Sequence, residues 1–296
     1  MQGQFSQLLE RLLGLLRISP VVDWSSAKAA SWQRGRWQSE FAAYNAVGGT
    51  RLDDLLHIDR QKQALVQNTQ QFVAGLPANN ALLWGARGSG KSSLVHGLLD
   101  AFAVNGLRLV EVDKSVLCDI GEIVQRLVDQ PYKFIVFCDD LSFEEDDSSY
   151  KSLKSALDGS VLAKAPNILI YATSNRRHLL AERASDNDAS GLKDGELHHG
   201  EAVEEKISLS DRFGLWLSFY PFRQAQYLNM VGNAVNLWVQ RTAPEFVGLE
   251  VFQLDTYRQE ALRWALARGV RNGRCAEHFA RHWVGLQIHK LRAESV

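Results

Sequence analysis

The chain has 296 residues, with 33 Lys and Arg against 34 Asp and Glu, so its formal net charge of −1 supplies no global basic field for capturing nucleic acid or anionic membrane. With 46% hydrophobic and 23% charged residues and 6 prolines, the composition excludes a disordered or collagen-like chain, and the length suits one large domain or two smaller ones. Cys118, Cys138 and Cys275 are odd in number and widely spaced, so reduced thiols are expected and no disulfide is assigned.

Residues 5–18 place leucines at largely helical spacing and stop before Pro20, which predicts an amphipathic helix that either covers its own domain or docks a partner. Glu10, Arg11 and Arg17 interrupt those leucines, unlike an export signal. No stretch reaches the roughly 18 to 20 apolar residues of a membrane span, so a cytoplasmic protein without a membrane partner is expected. Residues 23–47 bring Trp24, Trp32, Trp37, Phe41 and Tyr44, whose rings are expected in a core. Together residues 1–50 read as an N-terminal helical extension.

From residue 80 the pattern changes. Ala81 to Trp84, Leu107 to Val112, Phe134 to Phe137, Ile168 to Ala172 and Leu215 to Phe219 are short apolar runs separated by helical stretches, the signature of an α/β fold with a mostly parallel, doubly buried sheet. Residues 184–206 are polar and rich in Asp, Glu, Gly and His, and read as an exposed, mobile loop. After Phe222 the chain turns helical, over Tyr227 to Arg241, Asp255 to Arg268 and Arg274 to Arg292. The expected organisation is an extension over 1–50, an α/β domain over 51–222 and a C-terminal helical lid over 223–296.

Gly85, Ala86, Arg87, Gly88, Ser89, Gly90, Lys91 and Ser92 fit the pattern G-x-x-x-x-G-K-[ST], and they lie after a predicted strand and before a helix that opens with Ser93. The glycines let the backbone curl so that successive N–H groups and the helix N-terminus face a phosphate group. Lys91 offsets charge on the terminal phosphates, and the Ser92 hydroxyl suits Mg²⁺. A second element supplies the metal's other partner: the apolar run Phe134 to Cys138 ends in Asp139 and Asp140. Asp139 is the expected Mg²⁺ ligand. Asp140 stands where a carboxylate can orient or polarise an attacking water.

These residues resemble an AAA+ ATPase, and the similarity runs from about Leu52 to the C-terminus. The resemblance implies a P-loop sheet sandwiched by helices with a helical lid, ATP and Mg²⁺ as ligands, and hydrolysis at the interface of a homo-oligomer. It makes Leu55 and Ile58 candidate adenine contacts and Asn175 the sensor of the terminal phosphate. Arg212, in Asp211-Arg212-Phe213, becomes the arginine finger reaching a neighbouring subunit's nucleotide. Arg274 is the lid's nucleotide-sensing residue, with Arg271 as the competing choice. The phrases Asn79 to Gly85, Asp139 to Phe143 and Ala172 to Leu179 are similar to those of a bacterial AAA+ family without an assigned cellular role. Two features depart from the superfamily pattern: Asp140 stands where Glu is common, and the loop before Arg212 is long. The first permits a second reading, a nucleotide-gated oligomeric scaffold with little hydrolysis.

Other constellations carry less. Cys275, His278 and His282 share a helix face at tolerable metal-ligand spacing, but no fourth ligand is evident and a packed face is expected. His198 and His199 read as a solvated pair. Arg176, Arg177 and His178 are a weak footprint for nucleic-acid phosphates. The unknown protein partner of the AAA+ reading is assigned to the N-terminal extension.

Overall fold

A computed structural model of the chain describes residues 22–35, 39–44, 51–143, 148–158, 165–176, 191–193, 196–198 and 210–294. Its frame is a seven-stranded sheet. The chain enters through β1 (Ala29–Arg34) and β2 (Ser39–Tyr44), then passes helix α1 (Asp59–Val73), strand β3 (Ala81–Gly85), helix α2 (Lys91–Phe102) and strand β4 (Leu107–Glu111). Helix α3 (Ile120–Leu127), strand β5 (Lys133–Cys138), helix α4 (Ser148–Leu157) and strand β6 (Ile168–Ser174) follow. The spatial order is β2-β1-β4-β5-β6-β3, with the later strand β9 (Leu215–Phe219) at the far edge. Every pairing is parallel except the antiparallel β1–β2 pair.

Burial on both faces explains the continuous apolar runs that mark these strands. In β5, Phe134, Val136 and Cys138 enter the core on one face of the sheet, while Ile135 and Phe137 enter the core on the other. This is the period of two expected of a strand. β6 is buried along all seven of its residues, which fits its central place. Helices α1 and α2 pack on the face that holds Leu65, Leu94 and Leu98, and α3 and α4 on the face that holds Ile123 and Leu153.

The N-terminal part departs from the helical extension read from the sequence. Among residues 1–50, those from Ala29 to Tyr44 that are described form strands of the main sheet, with Ala29 to Ser31 paired to Leu109 to Glu111. Trp24 and Trp32 are core residues, as their aromatic character implied: Trp24 stands edge-on to Phe41 and Phe134, and Trp32 edge-on to Phe41. The physical reason is tertiary. A six-residue strand with small residues at its start has no strong local signature, and the partner that selects it, β4, lies more than seventy residues along the chain. Asp119 fixes the strand end by accepting from Trp32 Nε1 at 3.0 Å and Arg34 Nε at 2.9 Å. The expected helix over 5–18, and Trp37, lie outside the described residues.

Within the polar stretch 184–206, the described residues form two short strands: β7 (Gly191–Lys193) pairs antiparallel with β8 (Glu196–His198). The chain then returns through β9 (Leu215–Phe219) to the sheet edge beside β3.

Three long helices complete the fold, α5 (Gln224–Thr242), α6 (Leu254–Ala267) and α7 (Gly273–Glu294), at nearly the spans read from the sequence. They enclose a separate core of Tyr227, Val231, Val235, Tyr257, Phe279 and Trp283. Gly269, at φ 64°, takes the left-handed turn that ends α6 and lets α7 start. No helix among the described residues is long and apolar enough to cross a membrane.

Candidate functional site

The loop over residues 85–92 is built where β3 gives way to α2, and its shape depends on glycine, first at Gly85 and Gly90. Gly85 has φ 130°, and a Cβ there would lie 2.0 Å from the Phe219 carbonyl oxygen. That close approach lets the next amide, of Ala86, donate to the same oxygen at 2.9 Å, which ties the loop to β9. Gly90 has φ 97° and caps α2, with Ile58 and Leu55 closing over it. The two apolar residues assigned to the base thus lie beside the loop.

Lys91 is 6% exposed, and its ammonium donates to the carbonyls of Gly85 and Ala86, both at 2.9 Å, and to Asn175 Oδ1 at 3.1 Å. Burial holds its pKa below the ordinary lysine value; Asp139 and Asp140 oppose that shift, and the cations Arg87 and Arg274 add to it. Ser89 Oγ is buried in the loop without a hydrogen-bond partner among the described residues. A buried hydroxyl left in that state is costly, and a phosphate oxygen would satisfy it.

Across from the loop, the ends of β5 and β6 are stitched together by side chains. Ser92 Oγ donates to Asp139 Oδ1 at 2.7 Å, so the hydroxyl and carboxylate expected to share a metal are adjacent. This hard oxygen pair suits Mg²⁺, which takes few protein ligands beside phosphate and water. Thr173 Oγ1 also donates to Asp139 Oδ1, at 2.5 Å, and accepts the Asp140 amide at 2.9 Å. Asp140 adopts φ 52°, a left-handed conformation unusual outside glycine, and Asn175 Nδ2 donates to its carboxylate. Asn175 therefore bridges Lys91 and Asp140, a role that needs both atoms of its amide.

These groups line one cleft of about 920 Å³ between the sheet and the C-terminal helices. Leu55, Ile58, Arg87, Ser93 and Asn175 contribute from one side, and Met230, Trp238 and Arg274 from the other. Arg274, and not Arg271, is the guanidinium at the start of α7 that reaches the cleft wall. His57 Nε2 meets Asn229 Oδ1 at 3.0 Å, joining the Leu55 segment to α5. Arg212 stands apart from the cleft of its own chain and pairs with Asp158 at the end of α4.

Sequence reasoning missed several residues in or beside the cleft. Thr173 was signalled only as a polar residue one turn of strand before Asn175. Asn272 donates to the Arg87 carbonyl at 2.9 Å, and Gly273 N donates to the Gly88 carbonyl at 3.0 Å. On the lid wall, Trp238 Nε1 donates to Glu277 Oε1 at 2.7 Å, with Arg241 and Arg281 beside it. Cys275 is buried against the Tyr227 hydroxyl at 3.7 Å, whereas His282 stacks on Trp264 with 5.1 Å between ring centroids. The three residues of that helix face thus have separate packing partners or, for His278, solvent. Arg177, His178 and His199 lie outside the described residues.

The mostly parallel sheet, flanking helices and helical C-terminal region match the α/β architecture with a helical C-terminal part expected from the sequence. Among solved structures, the Holliday junction branch migration motor RuvB of Thermotoga maritima is 15% identical over 78% of this chain and 70% of its own, with a TM-score of 0.44. The ORC1 protein of Aeropyrum pernix, solved in complex with DNA, is 16% identical over 82% of this chain and 65% of its own, with a TM-score of 0.49. A DNA replication initiation factor is 14% identical over 82% and 68%, with a TM-score of 0.46. No curated protein matches the chain. A family model, described as a protein of unknown function (DUF815), matches residues 25–287, and the chain belongs to that family.

Proposed function

We propose that this protein is a Mg²⁺-dependent ATPase whose site is completed by a neighbouring copy and whose cycle moves the C-terminal helices, over 223–296, against the α/β domain. The observation that carries the reading is the joint placement of Lys91, Ser92, Asp139, Asp140 and Asn175 around one phosphate-binding loop. The loop amides and Lys91 bind the triphosphate, and Ser92 and Asp139 hold the metal. Mg²⁺ would neutralise charge on the phosphate oxygens. Asp140 orients the attacking water and accepts its proton at a carboxylate oxygen, while Asn175 fixes that carboxylate and senses the terminal phosphate. Arg212 leaves Asp158 to stabilise charge on the transferring phosphoryl group of the adjacent subunit. Leu55 and Ile58 pack on the base.

ATP turnover per subunit, measured against protein concentration, tests this. Turnover should rise with concentration, vanish in Lys91→Ala and Arg212→Ala, and recover in part when the two variants are mixed. ATP binding with background turnover throughout would instead support the nucleotide-gated scaffold, a reading favoured by the shorter Asp140 side chain and its engagement by Asn175. Absence of ATP binding would refute both. The partner that the cycle remodels or loads is assigned to residues 1–21, because the described residues that follow build the sheet and its core, through Trp24, Ala30 and Trp32. Removing 1–21 should abolish partner capture and spare nucleotide binding.

A further inference from the structure

Four successive carbonyls of the phosphate-binding loop are engaged, but from two different sources. Lys91, on the loop's own helix, takes those of Gly85 and Ala86. The turn before α7 takes the next two: Asn272 Nδ2 donates to Arg87 O at 2.9 Å, and Gly273 N donates to Gly88 O at 3.0 Å. These bonds cross 185 residues of chain. The same Asn272 side chain also caps α7, its Oδ1 accepting the Cys275 amide at 2.8 Å. The fit is close, since a Cβ on Gly88 would stand 2.5 Å from Asn272 Nδ2, and Gly88 itself has φ 70°.

Peptide geometry turns these two bonds into a statement about anion binding. No cis peptide occurs among the described residues, so each amide N–H points opposite to the carbonyl of the same peptide plane. Holding Arg87 O sets the direction of the Gly88 N–H, and holding Gly88 O sets that of the Ser89 N–H. Both N–H groups are turned away from α7 and belong to the loop that would cradle phosphate. Loop amides act as a phosphate nest only when several of them converge, and each of these planes is next to a glycine that resists rotation little.

We infer that Asn272 is a positioning residue for the phosphate-binding loop: with Gly273, it clamps the peptide planes that present the Gly88 and Ser89 amides, so that the loop is competent for a triphosphate only when the C-terminal helices are docked. The inference rests on the nucleotide-binding reading above and adds to it the device that couples the two parts. The coupling is reciprocal, so phosphate bound in the loop tightens the clamp as much as the clamp tightens phosphate binding.

Asn272→Ser in the full-length protein is the test, because serine keeps the helix cap but is too short to bond Arg87 O. Site-resolved hydrogen exchange of the Gly273 amide reads the clamp directly, and calorimetry with ATP and with adenosine reads its consequence. With an unchanged melting temperature, Gly273 should exchange about fivefold or more faster, and ATP affinity should fall by a similar factor while adenosine affinity holds. In the wild type, ATP should slow Gly273 exchange. Wild-type exchange at Gly273 in Asn272→Ser, equal losses for ATP and adenosine, or Gly273 exchange in the wild type that ignores ATP would overturn the inference. Failure of the wild type to bind ATP would refute the nucleotide reading itself, which survives if only Asn272→Ser is silent.

Discussion

Replacing Thr173 by valine removes one oxygen from the centre of the site while keeping the side chain's shape. Thr173 is 1% exposed, and its hydroxyl both donates to Asp139 and accepts the Asp140 amide. In the variant the part-buried Asp140 N–H loses its acceptor, at a cost of about 1 to 3 kcal/mol. Asp139 is exposed, so water replaces most of what its carboxylate loses. The added methyl returns about 0.8 kcal/mol at most. A net loss of roughly 1 kcal/mol follows. Unfolding entropy near 2.1 cal/mol/K per residue, taken over 296 residues, converts this to a fall in melting temperature of about 2 °C. The effect on chemistry should be larger. Asp140 is held at φ 52° in part by this bond, and a displaced carboxylate no longer meets the water in line, so turnover should fall by about ten- to a hundredfold with ATP affinity changed far less. Thr173→Ser, which keeps the hydroxyl, should stay close to wild type in both respects. Differential scanning calorimetry and steady-state ATPase kinetics on the three proteins decide the matter. A valine variant that matches wild type in melting temperature and turnover would refute the assignment of Thr173 as the group that holds the Asp139 carboxylate and the Asp140 backbone.

Two further perturbations follow from packing and burial. Deleting residues 1–50 should unfold the protein, while deleting 1–21 should leave its melting temperature within a few degrees: Trp24 and Trp32 together carry about 6 to 10 kcal/mol of core packing, comparable with the entire 5 to 15 kcal/mol of a typical domain. Circular-dichroism melts of the two truncations check this, and a cooperative, wild-type transition after the longer deletion would contradict it. Alkaline pH should destabilise the fold through Cys138. Burial pushes its thiol from 9.0 up to about 12, so the unfolded chain loses the proton first, and stability that is complete below pH 9 drains away as pH climbs toward 12. Cys138→Ala should flatten the decline in urea midpoint between pH 9 and pH 10.5; an unchanged slope would show that other groups carry it, Tyr257 being raised from 10.0 to about 12 by the same cause.

Local patterns were enough for the loop from Gly85 to Ser92, the acidic end of β5, strands β3, β4, β5, β6 and β9, and the three C-terminal helices. Each is written in contiguous residues: glycines where the backbone must turn left-handed, apolar runs where both sheet faces are buried, and helical periodicity around a separate core. Asn175 was marked by the family resemblance, helped by its position just after an unbroken buried strand. Strands β1 and β2 were not, since their identity comes from pairing with β4 and from Trp24 meeting Phe134, contacts between residues distant in sequence. Nor could spacing alone show that Thr173 holds both Asp139 and the backbone of Asp140, or that Arg274 rather than Arg271 faces the cleft, or that Arg212 pairs with Asp158. A residue's chemistry is local, and the sequence states it. Which neighbour receives that chemistry depends on how the sheet and the C-terminal helices close on one another, and only the folded chain brings Asn272 to the carbonyl of Arg87.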